Sequence, residues 1–308
     1  MRMHVVVLAG GIGGARFLQG VRELGVEVTA VVNTGDDVTM HGLRICPDLD
    51  SVMYTLGGGA DAERGWGRTG ESWVVKEELA AYGAEPTWFG LGDKDVATHL
   101  VRTRMLAAGN PLSTVTAALC DRWKPGVRLL PMSDDRVETH VVTGGQAIHF
   151  QEWWVRHRGQ IPAERFVFTG AAEARPGAGV LDAIASADLI LLAPSNPVVS
   201  IAPILAVPGI REAMVAASAP VVGVSPIIGG APVRGMADKC LAAIDVEVSA
   251  GAVGAIYGSD LLDGWLVDET DADTTVEGVP VRSRPLWMSD TAATAAIVRD
   301  AVDLAGLS

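Results

Sequence analysis

Cysteine is scarce in this chain: Cys46, Cys120 and Cys240 are the three in 308 residues. They are odd in number, far apart and never in a Cys-x-x-Cys pair, which excludes a disulfide framework or a cysteine zinc site and reads as reduced thiols. Aromatic residues make up only 5%. No apolar run reaches the roughly 18 residues of a membrane span, and the N-terminus enters a strand-like run without the pattern of a signal peptide. The expectation is therefore a cytoplasmic protein with no membrane partner. Positive charge is also short, with 24 Lys and Arg against 37 Asp and Glu and a net charge of −13. That balance repels nucleic acid, so any anion site must be a local basic pocket. The Gly-Lys-Ser/Thr ending of a Walker loop, a Gly-x-Ser-x-Gly elbow and a His-Glu-x-x-His pair are absent.

Glycine, in contrast, is plentiful, with 36 residues spread along the chain and 49% hydrophobic residues around them. The stretch from His4 to Arg16 is the most informative: an apolar run ends in Gly10, Gly11, Gly13 and Gly14, and helical periodicity follows through Phe17, Leu18, Val21 and Leu24. Strand, glycine turn and helix in that order form a phosphate cradle, because the backbone can approach an anion and the first-turn N–H groups point at it. A dinucleotide fingerprint fits only loosely, since its last glycine or alanine would fall at Arg16 or Ala15.

Short apolar runs at 28–33, 86–90, 189–193 and 220–224 alternate with helical segments, one of them from Asp95 to about Ala108. This pattern predicts an α/β fold with a doubly wound, mostly parallel Rossmann-like sheet. From Arg136 to Val155 the rhythm changes to alternation with a Gly144-Gly145 turn, the mark of a β-hairpin. We therefore expect a core of residues 1–126 and 175–308 and a small inserted α+β lobe at 127–174. The last helix is expected to begin at Ser289 or Asp290, either of them a good N-cap.

Ligands of open α/β sheets sit beyond the carboxyl ends of the strands, and polar residues gather at the expected ends. Asn33, Thr34, Asp36 and Asp37 come first, then Cys46-Pro47-Asp48-Leu49-Asp50-Ser51. Asp48 can cap a helix; Asp48 and Asp50 together can hold Mg²⁺ beside a phosphate. In Gly90-Leu91-Gly92-Asp93-Lys94-Asp95, Asp93 can again be a cap. On the helix that follows, Asp95, His99 and Arg102 share one face, and Lys94 or Arg102 could meet phosphate oxygens. Ser195-Asn196 lies between two prolines. Ser225-Pro226-Ile227-Ile228-Gly229-Gly230 offers a second glycine loop, or only a turn. Two anion-friendly loops and two acidic clusters point to a diphosphate ligand with a metal.

Gly10-Gly11-x-Gly13-Gly14, Pro47-Asp48-Leu49-Asp50-Ser51, Gly92-Asp93-x-Asp95 with Thr98-His99-x-x-Arg102, Pro131-Met132-Ser133-Asp134-Asp135, Ser195-Asn196-Pro197-x-x-Ser200-Ile201 and Ser225 to Gly230 occur in that order. The set resembles the 2-phospho-L-lactate transferase family of deazaflavin coenzyme (F-420) biosynthesis, including its phosphoenolpyruvate-using actinobacterial members. The resemblance runs from the first strand to the final helix. It implies a Rossmann-like core with an inserted lobe, often a homodimer, and two substrates: a guanosine diphosphate-linked three-carbon acid and the deazaflavin alcohol Fo. The terminal hydroxyl of Fo would attack the phosphorus bearing the acid, GMP would leave, and (dehydro) coenzyme F-420-0 would form. The catalytic candidates are then Asp48, Asp50, Asp93, Asp95, His99 and Arg102. Gly10, Gly11, Gly13, Gly14, Ser195, Asn196, Ser225, Gly229 and Gly230 would hold the nucleotide phosphates, and Asp48, Asp93 and Lys94 the deazaflavin. Arg234 and Met236 stand where many relatives have Lys-Gly-Pro. No motif separates phosphoenolpyruvate from 2-phospho-L-lactate as the acid; the Ala/Gly/Val/Arg-rich composition, that of an actinobacterial-type protein, tips the resemblance slightly toward phosphoenolpyruvate. Two rival readings are a nucleotide-binding regulator of the gluconeogenesis-factor-like type and a Rossmann oxidoreductase. The two acidic clusters argue against both.

Overall fold

The computed structural model describes residues 2–307. β1 (His4–Ala9) passes through Gly10 into α1 (Gly11–Arg22) and on to β2 (Glu27–Val32). A short hairpin, β3 (Val38–Met40) and β4 (Leu43–Ile45), precedes α2 (Pro47–Leu56). An excursion with α3 (Val74–Ala81), α4 (Asp93–Ala107) and α5 (Leu112–Trp123) leads to β5 (Arg128–Pro131). Next come β6 (Glu138–Thr143), β7 (Gln146–His149) and β8 (Arg165–Thr169), then α6 (Val180–Ala185), β9 (Leu189–Leu192), α7 (Ala202–Leu205), α8 (Ile210–Ala216) and β10 (Val221–Val224). The chain closes with β11 (Ile227–Ile228), β12 (Ala231–Pro232), α9 (Ala237–Ala242), α10 (Ala250–Tyr257), β13 (Gly264–Val267), β14 (Val281–Ser283) and α11 (Thr291–Leu304).

Seven strands form one parallel sheet in the order β14-β13-β10-β9-β1-β2-β5. Its central strands β1, β9 and β10 read as unbroken apolar runs because both faces are covered. Val6 and Leu8 of β1 pack with α6, α8, α9 and α10 on one face. Val5, Val7 and Ala9 pack with α1, α2, α5 and α11 on the other. Phe17, Leu18 and Val21 give α1 its fully buried stripe. Asp290 caps α11 by accepting a hydrogen bond from the Ala293 N–H.

The winding reverses between β1 and β9. From β1 the chain proceeds to β2 and β5; from β9 it proceeds the other way to β10, β13 and β14. Loops leaving adjacent strands in opposite directions open a crevice at the carboxyl ends, where such sheets bind ligands.

Two expectations change. Residues 86–90 form no strand: the segment is irregular and begins with a proline, which cannot donate to a ladder. β5, expected at the start of the inserted lobe, pairs with β2 as the edge strand of the main sheet. The separate sheet, in the order β7-β6-β8, spans residues 138–169 and turns at Gly144 and Gly145, both with positive φ. No single described helix is long and apolar enough to cross a membrane.

Candidate active site

A cavity of about 920 Å³ opens at this reversal point. Gly10 to Gly13 form its floor with Pro194, Ser195 and Asn196, and Ser225 and Pro226 line it from β10. The Ser195 hydroxyl ties the two central strand ends together: its Oγ accepts from Gly10 N–H at 3.1 Å and donates to the Gly10 carbonyl at 2.8 Å. The glycines have different reasons to be there. A Cβ at Gly10 would stand 2.6 Å from Asp48 Oδ2, one at Gly13 3.0 Å from the Pro194 carbonyl, and one at Gly14 2.8 Å from Ser195 Oγ. These three let α1 tuck beneath its neighbours. Gly11, with φ +61, has room around it, and the N–H groups of the first turn of α1 meet the cavity there.

Asp50 and Tyr54 stand one turn apart on α2, and Asp95, His99 and Arg102 lie along one face of α4. These side chains meet at the cavity wall. His99 Nε2 is 3.4 Å from Asp95 Oδ2, and its Nδ1 is 3.7 Å from Asp50 Oδ2. Tyr54 donates to Asp95 Oδ1 at 2.7 Å. Arg102 Nη1 lies 3.0 Å from His99 Nδ1, and Nη2 pairs with Asp50 Oδ1. Because Arg102 can only donate, His99 Nδ1 is the acceptor, which places the ring proton on Nε2, facing Asp95. Burial pushes the Asp95 carboxyl up, but hydrogen bonding from His99 and Tyr54 and the charge of Arg102 outweigh it and hold it below the usual range. Burial raises Asp50 despite Arg102 and His99.

One ligand atom from each of Asp50, Asp95 and His99 lies within 4.8 Å of the others, close enough to share one ion. Asp50 Oδ2 is buried and has no hydrogen-bond partner among the described residues. The two carboxylates therefore fit an oxygen-seeking divalent cation, while His99, whose Nδ1 accepts from Arg102 and whose Nε2 carries the proton toward Asp95, has no lone pair free for it and orients Asp95 instead. Asp48 lies outside this group. Two positions along a helix is a rotation of about 200°, so Asp48 faces Gly10 and Gly11 instead. Its Oδ2 accepts from Asn33 Nδ2 at 2.9 Å, and Gly11 N–H also donates to the carboxylate. Burial pushes Asp48 up to about 6, and burial with the nearby Asp48 charge raises Asp36 well above the usual range.

Several sequence candidates lie elsewhere. Asp93 accepts from Ser72 Oγ and from the Val74 and Val75 N–H groups, so it caps α3 instead of lining the cavity. Lys94 is exposed and donates to the Thr69 carbonyl at 3.0 Å. Arg102 is 1% exposed, behind Asp50 and His99, out of reach of a substrate. Gly229 and Gly230 form the exposed turn of the β11–β12 hairpin, and Gly14 is buried beneath Ser195. Asn196 lines the cavity while its Oδ1 accepts from the Val198 and Val199 N–H groups. Ser225 lines it with its hydroxyl closed on Ile227.

Residues outside the candidate set also line the cavity. Tyr54, Trp66, Phe89, Phe150, Trp154 and Trp287 put six rings of an aromatic-poor chain around one space, with Arg16 and Arg234 beside them. The i, i+4 spacing of Asp50 and Tyr54 on α2 carried a signal for one of them. The distant rings converge only through the fold.

The model of 2-phospho-L-lactate transferase CofD matches residues 5–285. A phosphoenolpyruvate transferase of Thermobifida fusca is 65% identical over 98% of both chains. Proteins of the same name from Nocardia farcinica and Mycolicibacterium smegmatis are 62% and 60% identical, each over 99% of this chain and 95% and 100% of theirs. A solved Bacillus halodurans protein of the upf0052 family superposes with a TM-score of 0.63 at 19% identity, covering 98% of this chain and 100% of its own, and shares the fold.

Proposed function

The chain belongs to the 2-phospho-L-lactate transferase family and is a transferase of coenzyme F-420 biosynthesis; from that premise we propose that it moves a phosphoenolpyruvate moiety from a guanosine diphosphate-linked donor to the terminal hydroxyl of Fo. The hydroxyl oxygen bonds to the phosphorus that bears the acid. The bond from that phosphorus to the bridging oxygen breaks, and its electron pair leaves with GMP. Phosphoenolpyruvate is favoured over phospholactate by the name shared by relatives at 56–65% identity.

The observation that carries this reading is that the N-terminus of α1 and the Asp50, Asp95 and His99 group open into one cavity. First-turn N–H groups of α1 hold phosphate oxygens at little reorganisation cost. Asp50 and Asp95, with His99 orienting Asp95, would hold Mg²⁺ or another divalent cation, which would supply charge neutralisation for the diphosphate. Arg102 keeps the charge of Asp50 in place and, through His99 Nδ1, fixes the ring tautomer. Asp48, with its carboxyl near 6 and at the edge of the cradle, suits the hydroxyl proton, since a base works best near the operating pH. The aromatic walls offer flat surfaces for a guanine and a deazaflavin ring. Phosphoryl transfer asks mostly for such positioning and charge placement.

The test is Fo-dependent release of GMP from the guanosine diphosphate-linked enolpyruvyl donor, with the product identified by mass. EDTA should abolish turnover and added Mg²⁺ restore it. Full activity in EDTA would remove the metal from the mechanism, and donor hydrolysis without an Fo adduct would remove the acceptor.

A further inference from the structure

Four carboxylates line the cavity, from Asp36, Asp48, Asp50 and Asp95. Among the described residues, Arg16 and Arg234 are the only Lys or Arg side chains that line it with them. Neither makes an ion pair among the described residues. Each guanidinium carries five donors in a fixed fork. Arg16 projects from α1, and Arg234 reaches from the loop between β12 and α9 across to Gly65. There its Nη1 stands 2.9 Å from the point a side-chain carbon would take, and Ile12 Cδ1 is 3.9 Å from the same point. The two cations thus face one space beside the first turn of α1. Burial and the Arg234 charge lower the basicity of Arg16, so the pair repels itself until an anion comes between.

A donor of the class proposed above has two anionic parts. Its diphosphate is served by the helix N-terminus and by the cation group. Its carboxylate must still enter an acidic cavity, and the unpaired guanidiniums are the lysine or arginine charge left to meet it. We propose that Arg16 and Arg234 form a clamp for the carboxylate of the transferred three-carbon acid and set the enzyme's preference for an acid-bearing donor. This inference rests on the transferase reading. Bidentate recognition of a carboxylate is what an arginine fork does best.

The test compares kcat/KM for the guanosine diphosphate-linked enolpyruvyl donor with that for its carboxyl methyl ester, in wild type, Arg16→Gln and Arg234→Gln. GDP and phosphoenolpyruvate are titrated calorimetrically alongside. Wild type should prefer the free acid by roughly tenfold or more, the worth of one charge-assisted bond. Each variant should lose that preference through KM, bind phosphoenolpyruvate more weakly, and keep its GDP affinity within about twofold. Arg234 lies on an exposed loop, so its variant keeps the test open if Arg16→Gln folds poorly. A retained preference overturns the clamp. So does a GDP affinity that falls as far as the donor's, because the arginines would then hold the diphosphate. Arginine-dependent binding of phosphoenolpyruvate without any GDP binding would uphold the clamp and overturn the guanosine reading instead.

Discussion

Two acidic groups line the cavity, and they are built in opposite ways. Asp50 and Asp95 stand among Arg102, His99 and the Tyr54 hydroxyl, so their negative charge is met within the protein. Asp36 and Asp48 are as buried as Asp50, but their partners are the Asn33 amide, backbone and a hydroxyl, with the like charges of Asp37 and Asp48 nearby. Arg102, His99 and Tyr54 favour the charged form of the first group, which suits it to hold a cation, although burial still raises Asp50. The second holds protons into the neutral range and is suited to exchange them. Whether a buried carboxylate has a cation behind it decides which of the two it can do.

Removing that backing should have the largest effect. Arg102→Ala leaves Asp50 buried and unpaired, and breaking such a pair costs about 3–5 kcal/mol. Denaturant unfolding of the apo-protein should show it, and a loss below about 1 kcal/mol would mean that Arg102 is not what braces Asp50. Next comes the cation group itself. Asp95→Asn should lower kcat on the order of 10²–10³, the usual cost of one well-placed stabilising group, and His99→Ala, which removes the donor that orients Asp95, should lower it in the same direction by less. They should also weaken Mn²⁺ binding measured by calorimetry. Wild-type Mn²⁺ affinity in both variants would dissolve the proposed site.

The other group makes a prediction in pH. Asp48 has a folded pKa of about 6 against an ordinary 3.8, so between these values the native state holds a proton that the unfolded chain has released. Stability therefore falls as pH rises through that window, by on the order of 2–3 kcal/mol when complete. Asp48→Asn removes the ionisation, so in EDTA its melting temperature should gain on wild type from pH 4 to pH 7. A constant difference across that range would show that Asp48 is ionised throughout.

The fold was legible because its signals are local. Apolar runs of strand length, the glycine turn after β1 and the Asp290 cap report the chain's own neighbourhood. β5 was harder to place, since only pairing with β2 assigns it to the core. In the site, the single face of Asp95, His99 and Arg102 follows from helical spacing, and it was read correctly as a face. What that face meets is not periodic. Asp50 arrives from α2, and helix geometry turns Asp48 away from it although the two are nearly adjacent in sequence. Arg102, expected at the substrate, is spent on Asp50, a contact between positions 52 residues apart.

The smallest effect is expected at two of the deazaflavin candidates, Asp93 and Lys94. Asp93 and Lys94 stand immediately before Asp95, yet their side chains point to the 69–75 segment. Asp93 takes the Val74 and Val75 N–H groups and the Ser72 hydroxyl, and these hydrogen bonds, Ser72 first, hold its carboxyl below the usual range. Its charge thus sits at the N-terminus of α3, where a carboxylate satisfies donors that the helix cannot. Lys94 is tied to the Thr69 carbonyl in solvent. Asp93→Ala and Lys94→Ala should therefore leave kcat and the KM for Fo within about twofold, a shift of under 0.5 kcal/mol in transition-state binding. Asp93→Ala should instead increase amide exchange at Val74 and Val75, because the carboxylate acceptor for those two N–H groups is gone. Steady-state kinetics and exchange measured on the same variant separate the two roles. A tenfold rise in the KM for Fo with unchanged exchange would return Asp93 to the acceptor site and break the contrast between capping and catalytic aspartates on α4.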